Sequence, residues 1–228
     1  NADSDGWPVS LTPLSGGTFT KLARYIFNGR GGNYSSGQYV VLYDGEGTIT
    51  YSGDGIKNVG LSAAGRDVLD VTPTDTGTLV VITATDPNTN GNYIRNIRVM
   101  RASDEAAYNS GERFSPEFVD DTKNYRTLRF MDWMKTNGSL QQAWANRPQV
   151  DDVSYGATGT GDETLTGSVP VEVMMDLANE MHANPWVNMP HKATDDYITQ
   201  FADLAHSLLD TDRKIYVGTG GTSGVRAV

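Results

Sequence analysis

The chain has 228 residues, no cysteine and a formal net charge of −10. That length can bury one large core or two small ones. The missing cysteines exclude disulfides, thiolate metal sites and thiol nucleophiles, and the acidic balance argues against nucleic acid or an anionic membrane surface as partner. No apolar run approaches the ~18 residues of a membrane-spanning helix, and 4 Trp, 11 Tyr and 6 Phe argue for a packed chain. The sequence opens on Asn1-Ala2-Asp3-Ser4-Asp5-Gly6, as a chain does once a leader has been removed, so a secreted or extracellular location is expected.

The first hundred residues read as β-structure. Gln38–Tyr43 and Thr48–Tyr51 flank the turn Asp44-Gly45-Glu46-Gly47, which predicts a hairpin. Further strands are predicted over Ile56–Leu61, Asp67–Val71, Thr78–Thr85 and Asn92–Met100. Strands recurring roughly every 10 to 12 residues between Gly, Asn and Asp favour an antiparallel sandwich. Asp44, Glu46 and Asp54 do not follow the EF-hand loop pattern and read as solvated turn residues, with structural calcium as the alternative.

After Met100 the pattern changes. Ser103 is placed to cap a short helix over Asp104–Asn109, and Ser115-Pro116-Glu117 to open another. Thr127–Met131 is a short apolar strand, Leu140–Ala145 a predicted helix and 148–168 a polar, Gly-rich loop. Val169-Pro170-Val171-Glu172 starts the clearest helix, with Val173, Met174, Leu177, Ala178 and Met181 on one face. Pro185–Pro190 gives a buried strand, Thr194 caps a helix over Asp195–Leu209, and Ile215-Tyr216-Val217 is the next strand. Strands alternating with helices mark parallel βαβ units. The expectation is therefore α+β overall: an antiparallel β-sandwich over 1–101, which could bind carbohydrate, then a partial (β/α) barrel or small α/β layer over 102–228.

Residues following parallel strands form the reactive edge of such layers. Asp132, Trp133 and Asn137 follow one strand; Trp186, Asn188 and His191 belong to the next. Indole rings stack on the apolar face of a pyranose while carboxylates and amides hold its hydroxyls; the bland alternative makes Trp133 core and Asp132 a turn cap. Glycoside hydrolysis needs two carboxylates about 5–10 Å apart. Asp132, Asp151, Asp152, Asp162 and Glu163 are candidates, whereas Glu172, Asp195 and Asp196 read as first-turn residues answering the helix dipole. His182 and His206 fall in helical stretches, and the three histidines lack metal-ligand spacing. No GxSxG elbow and no phosphate-binding glycine motif is present. No cofactor or metal is expected at this site.

Leu128-Arg129-Phe130-Met131-Asp132-Trp133-Met134-Lys135-Thr136-Asn137-Gly138, Trp144, Arg147-Pro148, Pro170-Val171-Glu172-Val173-Met174, Pro185-Trp186-Val187-Asn188-Met189-Pro190-His191 and Asp195-Asp196-Tyr197 together resemble secreted bacterial glycoside hydrolases of the retaining (β/α)8 superfamily that includes many cellulases. The resemblance covers roughly residues 125–217. It implies a β-linked polysaccharide such as cellulose or another β-glucan as substrate. Asp132 and His191 would be the catalytic residues, with Arg129, Trp133, Asn137, Trp144, Trp186 and Asn188 lining the cleft. The superfamily ends its fourth strand with an Asn-Glu pair whose Glu is the acid/base, whereas Gly218-Thr219-Gly220 follows Lys214–Val217 here. A truncated or rearranged hydrolase and a non-catalytic carbohydrate-binding or structural protein are thus the two expectations, with homo-oligomerisation through exposed strand edges a third consequence of an incomplete barrel.

Overall fold

The computed structural model describes residues 1–12, 20–155, 168–219 and 225–227. The chain is a mixed α+β protein with antiparallel sheets, and it divides into two compact units, Asn1–Ser115 and Pro116–Val228.

The first unit contains β1 (Leu22–Ile26), β2 (Gly37–Asp44), β3 (Gly47–Gly53), β4 (Gly55–Lys57), β5 (Arg66–Val71), β6 (Thr78–Thr85) and β7 (Arg95–Arg101). They form two antiparallel sheets, ordered β1-β6-β3 and β4-β5-β2-β7. The hairpin predicted across Asp44–Gly47 does not form: β2 pairs with β5 and β7, whereas β3 pairs with β6. The turn lies against the 92–93 backbone, where Glu46 donates its N–H to the Asn92 carbonyl at 2.7 Å. Gly45 adopts φ +86°, and a Cβ there would stand 1.9 Å from the Tyr93 carbonyl oxygen. Only glycine fits, and the chain crosses between sheets instead of folding back on itself.

Strand alternation supplies the core. Tyr39, Val41, Leu69 and Val71 form one buried cluster, and Ile49, Val80, Ile82 and Ile94 another; Tyr43, Tyr51 and Ile97 pack against both. One charged group joins this interior. Asp67 pairs in register with Val41, is 1% exposed, and meets Lys57 Nζ at 2.6 Å and the Tyr51 hydroxyl at 2.8 Å. Burial first, then the Asp67 charge, pushes the Tyr51 and Tyr43 hydroxyls above their usual range.

At the step from β3 to β4, Asp54 accepts hydrogen bonds from the Thr74 N–H (2.7 Å), the Thr74 hydroxyl (2.6 Å), the Gly77 N–H (3.1 Å) and the Tyr34 hydroxyl. Burial works to raise the Asp54 pKa, but these donors together outweigh it and hold the carboxyl below its ordinary 3.8. Burial and the same carboxylate push the Tyr34 hydroxyl up to about 12. A short 3-10 turn, Ala102–Asp104, leads into α1 (Glu105–Asn109). Arg66 of β5 grips Glu105 there with two bonds of 2.7 Å, holding the Glu105 carboxyl below its ordinary 4.5. Both carboxyls are depressed on folding, so they stabilise the unit above their ordinary pKa values, and that contribution is lost as pH falls through the folded values. Acid titration followed by far-UV circular dichroism is expected to show stability holding down to about pH 4 and falling below it. Stability unchanged from pH 6 to 2 would remove these two carboxyls from the account. Leu22 and Tyr25 on edge strand β1 and Ile56 on edge strand β4 are exposed.

The second unit holds α2 (Pro116–Thr122), β8 (Thr127–Arg129), α3 (Val171–Glu180), β9 (Asn184–Met189), α4 (Asp195–Leu208), β10 (Tyr216–Thr219) and β11 (Val225–Ala227). The sheet order is β11-β10-β9-β8; β8, β9 and β10 run parallel, while β11 returns antiparallel to β10. Helices α3 and α4 pack on each other, as two successive crossovers of the same hand require. Val171, Val173, Met174, Met175, Leu177 and Ala178 are the buried residues of α3. The Thr194 hydroxyl caps α4 by accepting the Tyr197 N–H at 3.2 Å, with Asp195 and Asp196 in the first turn. Asn179 closes the other end of α4, donating to the Leu208 carbonyl at 2.8 Å and accepting the Asp210 N–H at 2.9 Å.

Two expectations change in this unit. The helix predicted over Leu140–Ala145 is a 3-10 turn, Trp144–Asn146. The Gln142 carbonyl, which a helix would use internally, instead accepts the Thr194 N–H at 3.1 Å, and Ala143 is extended (φ −91°, ψ 140°). A partial barrel is not established either. A barrel wall would continue from β10 through another crossover to a parallel strand, whereas that edge of β10 is taken by antiparallel β11.

Candidate functional site

The carboxyl ends of β8 and β9 place most of the predicted residues. In register, Arg129 stands beside Trp186 and Tyr216, and Asn188 beside Gly218. Alternation therefore puts Arg129, Trp186, Asn188, Tyr216 and Gly218 on one face of the sheet, and Val187, Met189 and Val217 on the other. The Arg129 guanidinium lies over the Trp186 ring, 4.8 Å from its centroid. Gly218 keeps this face close-packed: a Cβ there would be 2.7 Å from Asn188 Nδ2 and 3.4 Å from Trp186 Nε1. Trp186 Nε1 is buried and makes no hydrogen bond among the described residues. Asn188 is buried; its N–H approaches the Met134 sulfur at 3.2 Å and its carbonyl accepts the Thr136 hydroxyl at 3.2 Å.

Beyond β8, the Phe130 N–H extends the ladder to the Trp186 carbonyl at 2.8 Å, and the chain then turns, with the Lys135 N–H donating to the Asp132 carbonyl at 3.1 Å. Asp132 is exposed, Trp133 half-buried with its ring 5.4 Å from that of Phe130, and Asn137 exposed beside Gly138. Beyond β9, His191 is exposed, in a turn closed by the Ala193 N–H on the Pro190 carbonyl. Asp132 and His191 thus leave neighbouring parallel strands at the same edge, but no hydrogen bond or ion pair joins them among the described residues. Asp162 and Glu163 lie outside the described residues. The Asp152 carboxylate accepts the Gln149 N–H at 2.9 Å.

Trp144 belongs to a different cluster. Its ring meets the Arg147 guanidinium at 4.7 Å and Tyr197 edge-on at 5.3 Å, and Tyr197 stacks on Phe201. Arg147 in turn grips Glu172 of α3 through two bonds, 2.7 and 3.0 Å. Burial pushes the Tyr197 hydroxyl up to about 12 against the opposing Arg147 charge. Glu172 is therefore more than a first-turn acid; it anchors the cation that positions Trp144. This pairing spans 25 residues of sequence, and no local pattern announces it. Beside it lies a pocket lined by Met134, Gln141, Trp144, Val171, Pro190 and Tyr197, among others. Gln141, which sequence reasoning passed over, is 2% exposed, and its Oε1 accepts no hydrogen bond among the described residues.

Asp44, Glu46 and Asp54 are committed to protein donors: Asp44 to Asn96 and Arg98, Glu46 to Asn88 and Asn92, and Asp54 as described. Among the described residues no group of three or more His, Cys, Asp or Glu is placed to hold a metal ion, and no helix is long and apolar enough to cross a membrane.

Compared with protein-family models, curated proteins and solved structures, the chain finds no significant match in any of the three.

Proposed function

We propose that the chain recognises a β-linked polysaccharide such as cellulose through the carboxyl edge of β8 and β9, and hydrolyses it with Asp132 as the reacting carboxylate. The observation that carries this reading is the emergence of Asp132-Trp133 and His191 from adjacent parallel strands at one edge, with the Arg129–Trp186 stack immediately before them. Strand ends of that polarity are where βα layers do chemistry. The exposed carboxylate is free to meet a glycosidic oxygen, half-buried indoles offer faces to pyranose rings, and Asn137 offers an amide to hydroxyls. In this reading the β8-α3-β9-α4-β10 layer corresponds to part of a (β/α) barrel wall, and the first unit is a β-sandwich that contributes carbohydrate binding. The second carboxylate would come from the 151–163 segment or from another copy of the chain.

A second reading, binding without cleavage, is favoured by Gly218. The position that would begin the Asn-Glu pair of cellulase-like enzymes is here Gly218, where a side chain would have to displace the Asn188 amide, and that edge of β10 is paired with antiparallel β11. Isothermal titration with cellohexaose beside a reducing-sugar assay separates the readings: heat with product supports hydrolysis, and heat without product supports binding alone. Trp186→Ala is expected to weaken cellohexaose binding by about tenfold or more, because it removes the stacked ring and frees Arg129. Neither heat nor product with the parent chain would overturn both readings.

A further inference from the structure

The chain contains three Asn-Gly pairs, Asn28-Gly29, Asn90-Gly91 and Asn137-Gly138, and all of these residues are exposed. Such a pair carries its own reactants. The glycine backbone nitrogen can attack the preceding side-chain amide carbon, because no Cβ on the glycine stands in the way. Exposure does not separate the three pairs; hydrogen bonding does.

The Gly29 N–H donates to the Asp75 carbonyl at 3.1 Å, and the Asn28 side-chain amide donates to the Thr76 carbonyl at 2.8 Å. The Gly91 N–H donates to the Asp86 carboxylate at 3.1 Å, and the Asn90 side-chain oxygen accepts the Asn92 N–H at 2.9 Å. In both pairs the attacking nitrogen and the amide it must reach are tied to other groups, so each must open locally before it can react.

Asn137-Gly138 is held differently. It forms the centre of a turn closed by the Ser139 N–H on the Thr136 carbonyl at 3.4 Å, a bond in which the two central N–H groups take no part. Thr136 is anchored, its hydroxyl donating to the Asn188 carbonyl at 3.2 Å. Gly138 adopts φ +70°, and a Cβ placed there would meet nothing within 4 Å. Among the described residues no hydrogen bond engages the Asn137 side chain or the Gly138 N–H. The pair is a free tip on a fixed base.

We infer that Asn137 is a site of spontaneous modification to aspartate and isoaspartate. The Gly138 nitrogen forms a bond to Asn137 Cγ, the bond from Cγ to the amide nitrogen breaks, and ammonia leaves carrying the glycine's proton. Water then opens the cyclic imide at either carbonyl, and is the only co-reactant. The reaction depends on the turn alone. Its consequence rests on the polysaccharide reading: the amide offered to sugar hydroxyls becomes a carboxylate in the same loop as Asp132.

The test is peptide mapping by mass spectrometry of the parent chain and of Asp86→Ala, each incubated folded and in urea, with a thermal melt of the variant. In the folded parent, Asn137 is expected to convert at least about tenfold faster than Asn28 or Asn90, since each rival must first release two hydrogen bonds. Conversion should be faster in mildly alkaline than in mildly acidic buffer, because the attacking nitrogen must lose its proton. In urea the three rates should converge. Asp86→Ala releases the Gly91 N–H and should raise conversion at Asn90 while leaving Asn137 unchanged. Equal rates at the three pairs of the folded parent, or a lead by Asn28 or Asn90, would overturn the assignment. So would an Asn137 that stays intact for as long as the chain in urea takes to convert, or an Asn90 unaltered in folded Asp86→Ala. The polysaccharide reading stands or falls separately, by calorimetry with cellohexaose.

Discussion

Asp132→Asn is expected to lower hydrolysis of a soluble β-glucan by at least about 100-fold, the low end of what a positioned proton-transfer group contributes. The substitution keeps shape and polarity and removes only the capacity to carry a proton or a negative charge. Asp132 is exposed, and among the described residues its backbone carbonyl accepts the Lys135 N–H while no hydrogen bond engages its carboxylate. A surface change of this kind alters stability by about 0.5 kcal/mol or less. The variant should therefore melt with the parent and still bind cellohexaose, so that lost turnover reports chemistry and not unfolding. Unchanged turnover in a folded Asp132→Asn chain would remove Asp132 from the mechanism and leave binding without cleavage as the surviving function.

In the first unit, Lys57→Met is expected to cost about 3 kcal/mol in urea unfolding, the lower part of the range for breaking a buried pair by removing one partner. The asymmetry of the pair decides which partner matters. The Asp67 side chain is 2% exposed and that of Lys57 35%, so a stranded lysine could turn to water whereas a stranded Asp67 could not. Tyr51 would remain as a hydrogen-bond donor to Asp67, which keeps the expected loss below the upper end. The double change Lys57→Met with Asp67→Leu removes both charges and should recover most of the stability, because apolar replacement of a whole buried pair is often neutral. A loss under about 1 kcal/mol for Lys57→Met alone would place the pair among ordinary surface bridges.

The sequence by itself determined which segments are strands and helices in most of the chain, because those choices are local. Val40 and Val41 within β2, the apolar positions Val173, Met174, Leu177 and Ala178 in α3, and Thr194 followed by two acids at the start of α4 each declare their element through period, propensity or cap. It also brought Arg129, Asp132, Trp133, Trp186 and His191 to strand ends, since consecutive βα units fix which side chains follow a strand. Strand β1 was missed because no alternation marks it: its burial runs nearly uniform and exposed.

Only the tertiary structure decided who pairs with whom. Asp44-Gly45 reads as a hairpin turn, but contact with the 92–93 backbone, nearly fifty residues away, sends β3 to the other sheet. Leu140–Ala145 reads as helix until the Thr194 N–H claims the Gln142 carbonyl. Trp144 reads as an open sugar platform until Arg147, held by Glu172, is laid on its ring. The Gln141 pocket has no sequence signature at all, because an unpaired carbonyl is defined by the groups around it and these come from five separate segments. The physical reason is the same throughout: propensity and periodicity act between residues within about one turn or one strand, whereas closing a ring of hydrogen bonds or orphaning a buried acceptor depends on contacts that exist only after the chain has packed.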